Sequence, residues 1–309
     1  MSRLCWICLL FLMSCELIVD VDVPYSGDKM VLNAVQSPKG PWTIELTKTR
    51  YILDPRTTFE FPPVSGAVVT LFEEDGTSHI LPESTPGYYW IDRYPEEGKK
   101  YRIVAKANGY NDIGAETSVP KAVKIIDIKW DSTSVQVIDP ALPYYEQYYS
   151  RGNIPFTLAL SDPMHEKNYY TVDVYYWYSH TYVDPQTQIE QTDTLKGRVS
   201  TYVTDPILAR EEDHKNRFSD FAINGQTYSV SVNAIFNFNP ESSVYRIEVA
   251  LFSVSEDYFK YEDSRELFTQ VEGDPFAQPV QIYTNVKDGL GIFAGFSSDQ
   301  RTFSRKYPD

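Results

Sequence analysis

The chain has 309 residues, with 28 Lys and Arg against 43 Asp and Glu, and therefore a formal net charge of −15. This charge, with no Lys/Arg-rich run, excludes nucleic acid as a partner and disfavours an anionic membrane surface. Hydrophobic residues make up 42% of the sequence and charged residues 23%, which excludes wholesale disorder, and the 15% of aromatic residues favours β structure. The length suggests about two domains.

Residues 1–14 have the pattern of an export signal. Arg3 precedes an apolar run, Leu4–Met13, that is too short for a permanent membrane helix. Leu12-Met13-Ser14-Cys15 resembles a bacterial lipobox, so we expect cleavage before Cys15 and a lipid anchor on Cys15. No Cys follows position 15, so the mature chain would contain no intramolecular disulfide. The alternative is a plain secretory signal with an incidental Cys.

Residues 15–29 are predicted to be an acidic tether. Glu16, Asp20 and Asp22 lie in an extended stretch that ends at Pro24. The stretch resembles the acid-rich sorting segment of Bacteroidota lipoproteins that are sent to the cell surface. We therefore expect the outer membrane as the location, with the protein exposed at the surface rather than facing the periplasm.

Residues 30–120 show short apolar or alternating runs between Pro, Gly and Asp turns, which predicts an immunoglobulin-like or transthyretin-like β-sandwich. The predicted strands are Met30–Val35, Trp42–Thr47, Ala67–Glu73, His79–Leu81, Tyr88–Ile91, Tyr101–Ala107 and Gly114–Val119. Gly66–Leu71 and Tyr101–Ala107, with the turns Asp75-Gly76 and Gly109-Tyr110, resemble the carboxypeptidase regulatory-like, transthyretin-like module. That resemblance implies a scaffold rather than a catalyst.

Residues 121–300 are predicted to form a second, mostly β domain, and residues 301–309 a polar tail. Pro120 and Val123–Ile128 mark the crossover into it. Its strand candidates are Ile154–Leu160, Tyr169–Val183, Gln191–Thr204, Arg217–Ile223, Thr227–Phe236, Val244–Val254, Val280–Thr284 and Gly291–Phe296. These strands suit either a second sandwich or a β-barrel, and the sequence leaves both open.

One helix is predicted in this second domain, at residues 255–269. Ser255 is placed to cap it, and Glu256 and Asp257 lie in the first turn, where the helix dipole favours anions. Its buried side is expected to consist of Tyr258, Tyr261, Leu267 and Phe268.

Three glycines, Gly289, Gly291 and Gly295, precede or lie in the last predicted strand. They suit a tight turn that enters a strand approached closely by another backbone. A phosphate-binding loop is excluded because the segment lacks the Lys-Ser/Thr ending.

Two aromatic segments are the candidates for contact with a ligand or partner. In Tyr169–Tyr182, strand alternation places Tyr170, Val172, Val174 and Tyr176 on one, mainly apolar face, and Tyr175 and Trp177 on the other. The second face is expected either to carry aromatic cross-strand pairs or to form a ligand or protein interface. The second segment, residues 140–152, is predicted to be a loop, which either recognises a partner or covers its own domain. Its candidate contact residues are Tyr144, Tyr145, Tyr148, Tyr149 and Arg151.

Motifs for catalysis or metal binding are absent from the sequence. The 4 His are scattered, at His79, His165, His180 and His214, and the mature chain has no thiol apart from Cys15. No Gly-x-Ser-x-Gly motif is present, and the acidic pairs suit solvated loops. We therefore expect no enzymatic activity, no metal site and no cofactor. The alternative is a cryptic hydrolase whose carboxylates come from distant strands.

The most distinctive sequence segments are C-terminal: Ser255–Tyr261, Asp274–Val280, Asn285 and Gly289–Phe296. Together with the lipobox, Leu32-Asn33 and Pro41-Trp42, it resembles the Bacteroidota lipoprotein family of domain of unknown function 4249 (DUF4249). Members are typically encoded beside TonB-dependent outer-membrane transporters, which implies an accessory or ligand-capture role for a non-catalytic protein. The alternative is a surface adhesin that binds glycan or protein without a transporter.

Overall fold

The computed structural model describes residues 27–51, 61–130, 136–137, 150–209, 215–238, 243–274 and 276–304. They are mostly β-strand, so the predicted mainly β fold is confirmed. The strands are β1 (Met30–Gln36), β2 (Trp42–Lys48), β3 (Val68–Glu73), β4 (Ser78–Leu81), β5 (Glu83–Thr85), β6 (Tyr88–Ile91), β7 (Lys100–Lys106), β8 (Ile113–Ser118), β9 (Ile125–Trp130), β10 (Gln136–Val137), β11 (Ser150–Ser161), β12 (Tyr169–Val183), β13 (Glu190–Val203), β14 (Arg217–Ser219), β15 (Thr227–Phe238), β16 (Ser243–Val254) and β17 (Leu290–Ser304). The described residues also include a 3-10 helix at Asp220–Ala222 and an α-helix, α1 (Glu256–Val271).

The first hydrophobic core lies between two sheets. A four-stranded sheet, in the order β4-β3-β7-β8, faces the strands β1-β2-β6-β5 of the larger sheet. The strands alternate as a half-buried sheet requires: in β1 the side chains of Met30, Leu32 and Ala34 are buried and those between them are less so. Trp42 and Tyr89 are among the largest fully buried side chains of this sandwich.

The second core is enclosed by a curved antiparallel sheet. Its strands follow the order β11-β15-β13-β12-β16-β17, with β9 and β10 paired to β11 and β14 to β12. Inward side chains from β11, β12, β13, β15 and β16 meet in one cluster. The sheet turns far enough to bring β9 near β17, where the Asp299 carboxylate accepts a hydrogen bond from the Ile125 N–H (2.9 Å) and Arg301 donates to the Ile125 carbonyl (2.8 Å). In the described residues no main-chain ladder closes this seam, so the sheet is open rather than a barrel.

Strand β17 connects the two cores. Its first part pairs in parallel with β1, from Leu290 against Val31 to Gly295 against Gln36. Its second part pairs antiparallel with β16, from Phe296 against Val254 onward. The last strand is therefore much longer than the predicted Gly291–Phe296, and one continuous sheet crosses the boundary expected between two domains.

The predicted close approach at the glycines is confirmed. Gly291 has φ of 102°, a conformation that L side chains rarely adopt, and a Cβ atom there would lie 2.1 Å from the Leu32 carbonyl oxygen of β1. A Cβ atom at Gly295 would lie 2.4 Å from the Ser118 carbonyl oxygen. The glycines thus allow β17 to pass between β1 and the end of β8.

The predicted helix start is confirmed, but the predicted buried side is wrong. Ser255 caps α1, and its hydroxyl accepts a hydrogen bond from the Tyr258 N–H. Tyr258 and Tyr261 are half-buried, whereas Leu267 and Phe268 are exposed. The reason is that the helix lies flat on the outside of the sheet and buries no residue fully, so its C-terminal half has little to pack against.

Two strand predictions are also wrong. Residues 280–284 are irregular, because their contacts are made with α1 rather than with a neighbouring strand: the Tyr283 N–H donates to the Ser264 hydroxyl (2.8 Å). The predicted strand Arg217–Ile223 stops at Ser219, where the 3-10 helix begins. In that helix the buried Asp220 carboxylate accepts hydrogen bonds from the Asn168 main chain and the Asn224 side chain, which turns the backbone away from the sheet.

Candidate functional site

The predicted contact residues fall into two sets. Cys15, Tyr144, Tyr145, Tyr148 and Tyr149 lie outside the described residues. Arg151 belongs to β11, paired with Asn237 of β15, and not to the predicted loop, because the β11 and β15 ladder extends to Ser150 and Phe238. Tyr175 and Trp177 are described, and they lie in the middle of β12.

The predicted division of β12 into two faces is confirmed. Tyr170, Val172 and Val174 are fully buried in the second core, and Tyr176 packs against it. Tyr175 and Trp177 therefore face outward, away from that core.

On this outer face the neighbouring strands place cations over both rings. Trp177 pairs with Lys196 of β13 and with Arg246 of β16 in the strand register. The Lys196 ammonium lies 4.1 Å from the centre of the Tyr175 ring and 4.7 Å from that of Trp177, and the Arg246 guanidinium lies 4.2 Å from Trp177. These are cation–π distances. The aromatic cross-strand pairs considered from the sequence are thus replaced by aromatic–cation pairs.

Next to these rings, α1 covers a pocket of about 450 Å³ on the outer face of the sheet. Its floor is apolar, from Phe252 and Val254 of β16 and Phe296 of β17, and the two phenylalanine rings meet edge to face with centres 5.6 Å apart. Its side and roof are polar or aromatic and come from β12, β13 and α1: Asp173, Tyr175, Arg198, Tyr258, Glu262 and Arg265.

Asp173 is the centre of the hydrogen-bond network at the side of the pocket. Its carboxylate accepts hydrogen bonds from Arg198 of β13 (2.7 Å), from the Asn216 amide (2.7 Å) and from the Tyr175 hydroxyl (3.1 Å). Three donors compensate the cost of burying this carboxylate and fix the positions of the three donating side chains. Burial, together with the Asp173 charge, raises the pKa of Tyr175 to about 12, so this hydroxyl stays a donor at neutral pH.

The roof of the pocket carries Tyr258, Glu262 and Arg265 on one side of α1. Arg265 donates to Glu262 through both Nε and Nη2, at 3.3 and 2.7 Å. Burial, with the charges of Glu262 and Asp173 nearby, raises the pKa of Tyr258 to about 12. No described residue hydrogen-bonds to the Tyr258 hydroxyl, which is therefore available to a bound molecule.

Helix α1 is held over the pocket from both sides. On one side the nearly buried Arg217 of β14 donates to Asp263 (2.6 Å), to Glu266 and to the Glu262 carbonyl. On the other side the Tyr283 hydroxyl donates to Asp257 (2.7 Å). These contacts set the height of the helix above the sheet and thereby the size of the pocket.

The pocket is suited to binding more than to acid–base chemistry. Its two carboxylates, Asp173 and Glu262, already form ion pairs with arginines, so neither is a free general base. In the described part of the chain, no group of three or more His, Cys, Asp or Glu side chains is placed to hold a metal ion. Among the described helices, none is long and apolar enough to cross a membrane.

Most of the pocket residues were not predicted from the sequence. Arg198 of β13, Asn216 just before β14 and Arg265 of α1 come from separate parts of the chain, and no local pattern links them. The one available signal was Asp173, a charged residue in the middle of a strand with an apolar inner face, which indicates a polar partner on the outer face.

One family model matches the chain, and it covers nearly all of the described residues. It is the domain of unknown function DUF4249, matched over residues 17–302. No curated protein matches the sequence. The match extends over the sandwich, the curved sheet, α1 and the pocket residues. The chain therefore belongs to the DUF4249 family.

Proposed function

We propose that this protein is a non-catalytic lipoprotein of the Bacteroidota outer membrane, anchored through Cys15 and exposed at the surface, that captures a ligand for a TonB-dependent transporter. The observation that carries the proposal is the pocket under α1, which has an apolar aromatic floor and a polar rim, as ligand sites commonly do. The lipobox pattern around Cys15 supports the anchor, and the family resemblance supports the transporter.

In this proposal the two parts of the chain have different tasks. The N-terminal sandwich, a transthyretin-like module, is a scaffold, and β17 connects it to the curved sheet that carries the pocket. The Tyr-rich segment from Tyr144 to Tyr149, followed by Arg151, meets the transporter, because Tyr and Arg are the residue types enriched at binding hot spots.

The test is a gentle detergent extraction of native outer membranes that contain the tagged full-length protein. Mass spectrometry of the co-purified material is expected to find a TonB-dependent transporter in near-stoichiometric amount, and the Cys15 peptide is expected to carry acyl chains. A Cys15→Ser variant is expected to lose membrane association. An unmodified Cys15 peptide would contradict the lipid anchor.

Substitutions identify the docking segment. Replacing Tyr144, Tyr145, Tyr148 and Tyr149 together by Ser is expected to release the transporter, whereas Tyr94→Ser, at an exposed tyrosine of the sandwich, is expected to leave the complex intact. Recovery of lipidated protein alone, under conditions that preserve known transporter complexes, would overturn the accessory role. It would favour the alternative of a free-standing adhesin.

A further inference from the structure

The outer face of the curved sheet carries a row of cations that continues the pocket. Register places Lys196 and Arg246 on either side of Trp177, and Arg198 and Glu248 on either side of Tyr175. Successive rows on one face of a sheet lie about 7 Å apart, because they are separated by two residues of strand rise. Arg198 is also part of the pocket, so the row leads directly into it. We call Lys196, Arg198 and Arg246 of the sheet, together with Arg265 of α1 at the roof of the pocket, the cationic stripe.

The stripe exposes its positive charges and buries the negative ones beneath them. The side chains of Arg198, Arg265, Lys196 and Arg246 are 61%, 51%, 47% and 40% exposed. Their carboxylate partners Asp173 and Glu248 are only 9% and 7% exposed, and Glu262 is 19% exposed. A molecule approaching from solvent therefore meets cations first.

The charges within the stripe are also unequal in number. Glu248 is shared by Lys196 (3.9 Å) and Arg246 (3.3 Å), so one cation has no carboxylate of its own. In a chain with a net charge of −15, an exposed cationic surface next to a pocket is a local reversal of sign. Charge complementarity of this kind selects an anionic ligand.

The pocket lining indicates what carries the anionic groups. Phe252 and Phe296 offer an apolar floor, while Thr171, Asn216 and the Tyr258 hydroxyl, which has no hydrogen-bond partner among the described residues, offer hydrogen-bonding groups at the side. A sugar ring is complementary to both features of the pocket, because it has an apolar C–H face and hydroxyl groups at its edge. Guanidinium groups at the rim match carboxylates, because their N–H donors have the spacing of the two carboxylate oxygens.

From the cationic stripe and the pocket we infer that this site binds an acidic oligosaccharide, a chain of carboxylated sugars. One sugar ring lies on Phe252 and Phe296 with its carboxylate on Arg198 and Arg265, and the following sugars run along β12 with their carboxylates on Lys196 and Arg246. The inference rests on the ligand-capture function proposed above and names the class of ligand.

The test measures binding of three probes to the purified full-length protein in detergent by titration calorimetry. The probes are a short oligogalacturonate, the same oligomer with every carboxylate methyl-esterified, and an oligoglutamate of equal charge. We expect the oligogalacturonate to bind about tenfold more tightly than the ester, since only the charged form engages the arginines. We also expect it to bind more tightly than the oligoglutamate, which lacks the ring.

Variants locate the site. The double substitution of Lys196→Gln and Arg246→Gln, outside the pocket itself, is expected to weaken oligogalacturonate binding about threefold to tenfold. The matched control changes two other exposed, carboxylate-paired lysines, Lys106→Gln and Lys129→Gln, and is expected to have no effect. Thermal melts of both proteins check that the folds are equally stable.

The inference would be overturned by equal binding of the acid and its ester, by unchanged binding to the double variant, or by tighter binding of the oligoglutamate, which would indicate an acidic protein segment instead. Failure to bind any probe would overturn it as well. Because transporter co-purification does not depend on these probes, such a failure leaves the proposed accessory function to be judged by its own experiment.

Discussion

At the residue scale, Gly291 is the described glycine at which a Cβ atom would meet the closest neighbour, the Leu32 carbonyl oxygen. We predict that Gly291→Ala lowers the free energy of unfolding by about 3 kcal/mol or more, because the substitution combines a strained positive φ with a clash against β1. Gly109→Ala is the matched control, since Gly109 has φ of 86° but open space around it, so that only about 1 kcal/mol of conformational cost is expected. Chemical denaturation measures both variants. If the two variants lose equal amounts of unfolding free energy, the clash with Leu32 is relieved at little cost and the prediction is wrong.

A second residue-scale prediction concerns alkaline pH. The pKa of Tyr175 is raised to about 12 by burial and Asp173, whereas an unfolded tyrosine has a pKa of about 10. The folded state therefore holds this proton more tightly, so the stabilisation is complete below pH of about 10 and is lost as the pH rises towards 12.

We therefore expect the free energy of unfolding to fall less steeply in this pH range for Tyr175→Phe than for the parent protein. Denaturant titrations at several pH values, with tyrosinate absorbance as the second readout, measure the slopes. Tyr94→Phe, at an exposed tyrosine, is the control for the removal of one phenol hydroxyl. A Tyr175→Phe slope identical to that of the parent would contradict the prediction.

At the element scale, α1 depends on ion pairs more than on hydrophobic burial. Its hydrophobic side chains are not fully buried, while the nearly buried Arg217 connects it to β14 through Asp263, Glu266 and a main-chain carbonyl. We predict that Arg217→Ala destabilises the attachment of α1 by about 2 kcal/mol, which is less than the roughly 3 to 5 kcal/mol for breaking a buried pair, because the two carboxylates are partly exposed. Hydrogen exchange is expected to become faster at the backbone amides of α1 and to stay unchanged at those of β12.

The matched control for this prediction is Lys260→Ala on the same helix. Lys260 pairs with Glu256 at 3.0 Å, and both side chains are about half exposed, so the expected cost is about 0.5 kcal/mol or less. If Lys260→Ala accelerates exchange in α1 as much as Arg217→Ala, the helix is not held by Arg217.

The elements also show how far the sequence alone can lead. The start of α1 and the two faces of β12 were predictable because a cap and an alternation are local patterns. The outward exposure of Leu267 was not, because it depends on what lies beneath the helix. The pocket was not predictable either, since Asp173, Arg198 and Asn216 meet only after three strands have paired. The pairing of β1 with β17 joins residues from opposite ends of the chain, which no local pattern can specify.

At the scale of the whole molecule, the two hydrophobic cores share one strand. The first part of β17 contributes Phe293 to the first core, and its second part pairs with β16 over the second core. The seam contacts of Asp299 and Arg301 with Ile125 lie on the same strand. Loss of the first core should therefore loosen β17 and, through it, the second core. The two cores are expected to unfold together.

We predict that Phe293→Ala, which empties a fully buried site in the first core, destabilises both cores by a similar amount of about 3 to 5 kcal/mol. Hydrogen exchange under mild denaturant separates the cores, with peptides from β2 reporting on the first and peptides from β15 on the second. The converse variant, Phe236→Ala in the second core, is expected to accelerate exchange in β2 to the same degree. Protection of β15 that is unaffected by Phe293→Ala would show that the cores unfold independently, and β17 would then act as a hinge between two units instead of a common strand.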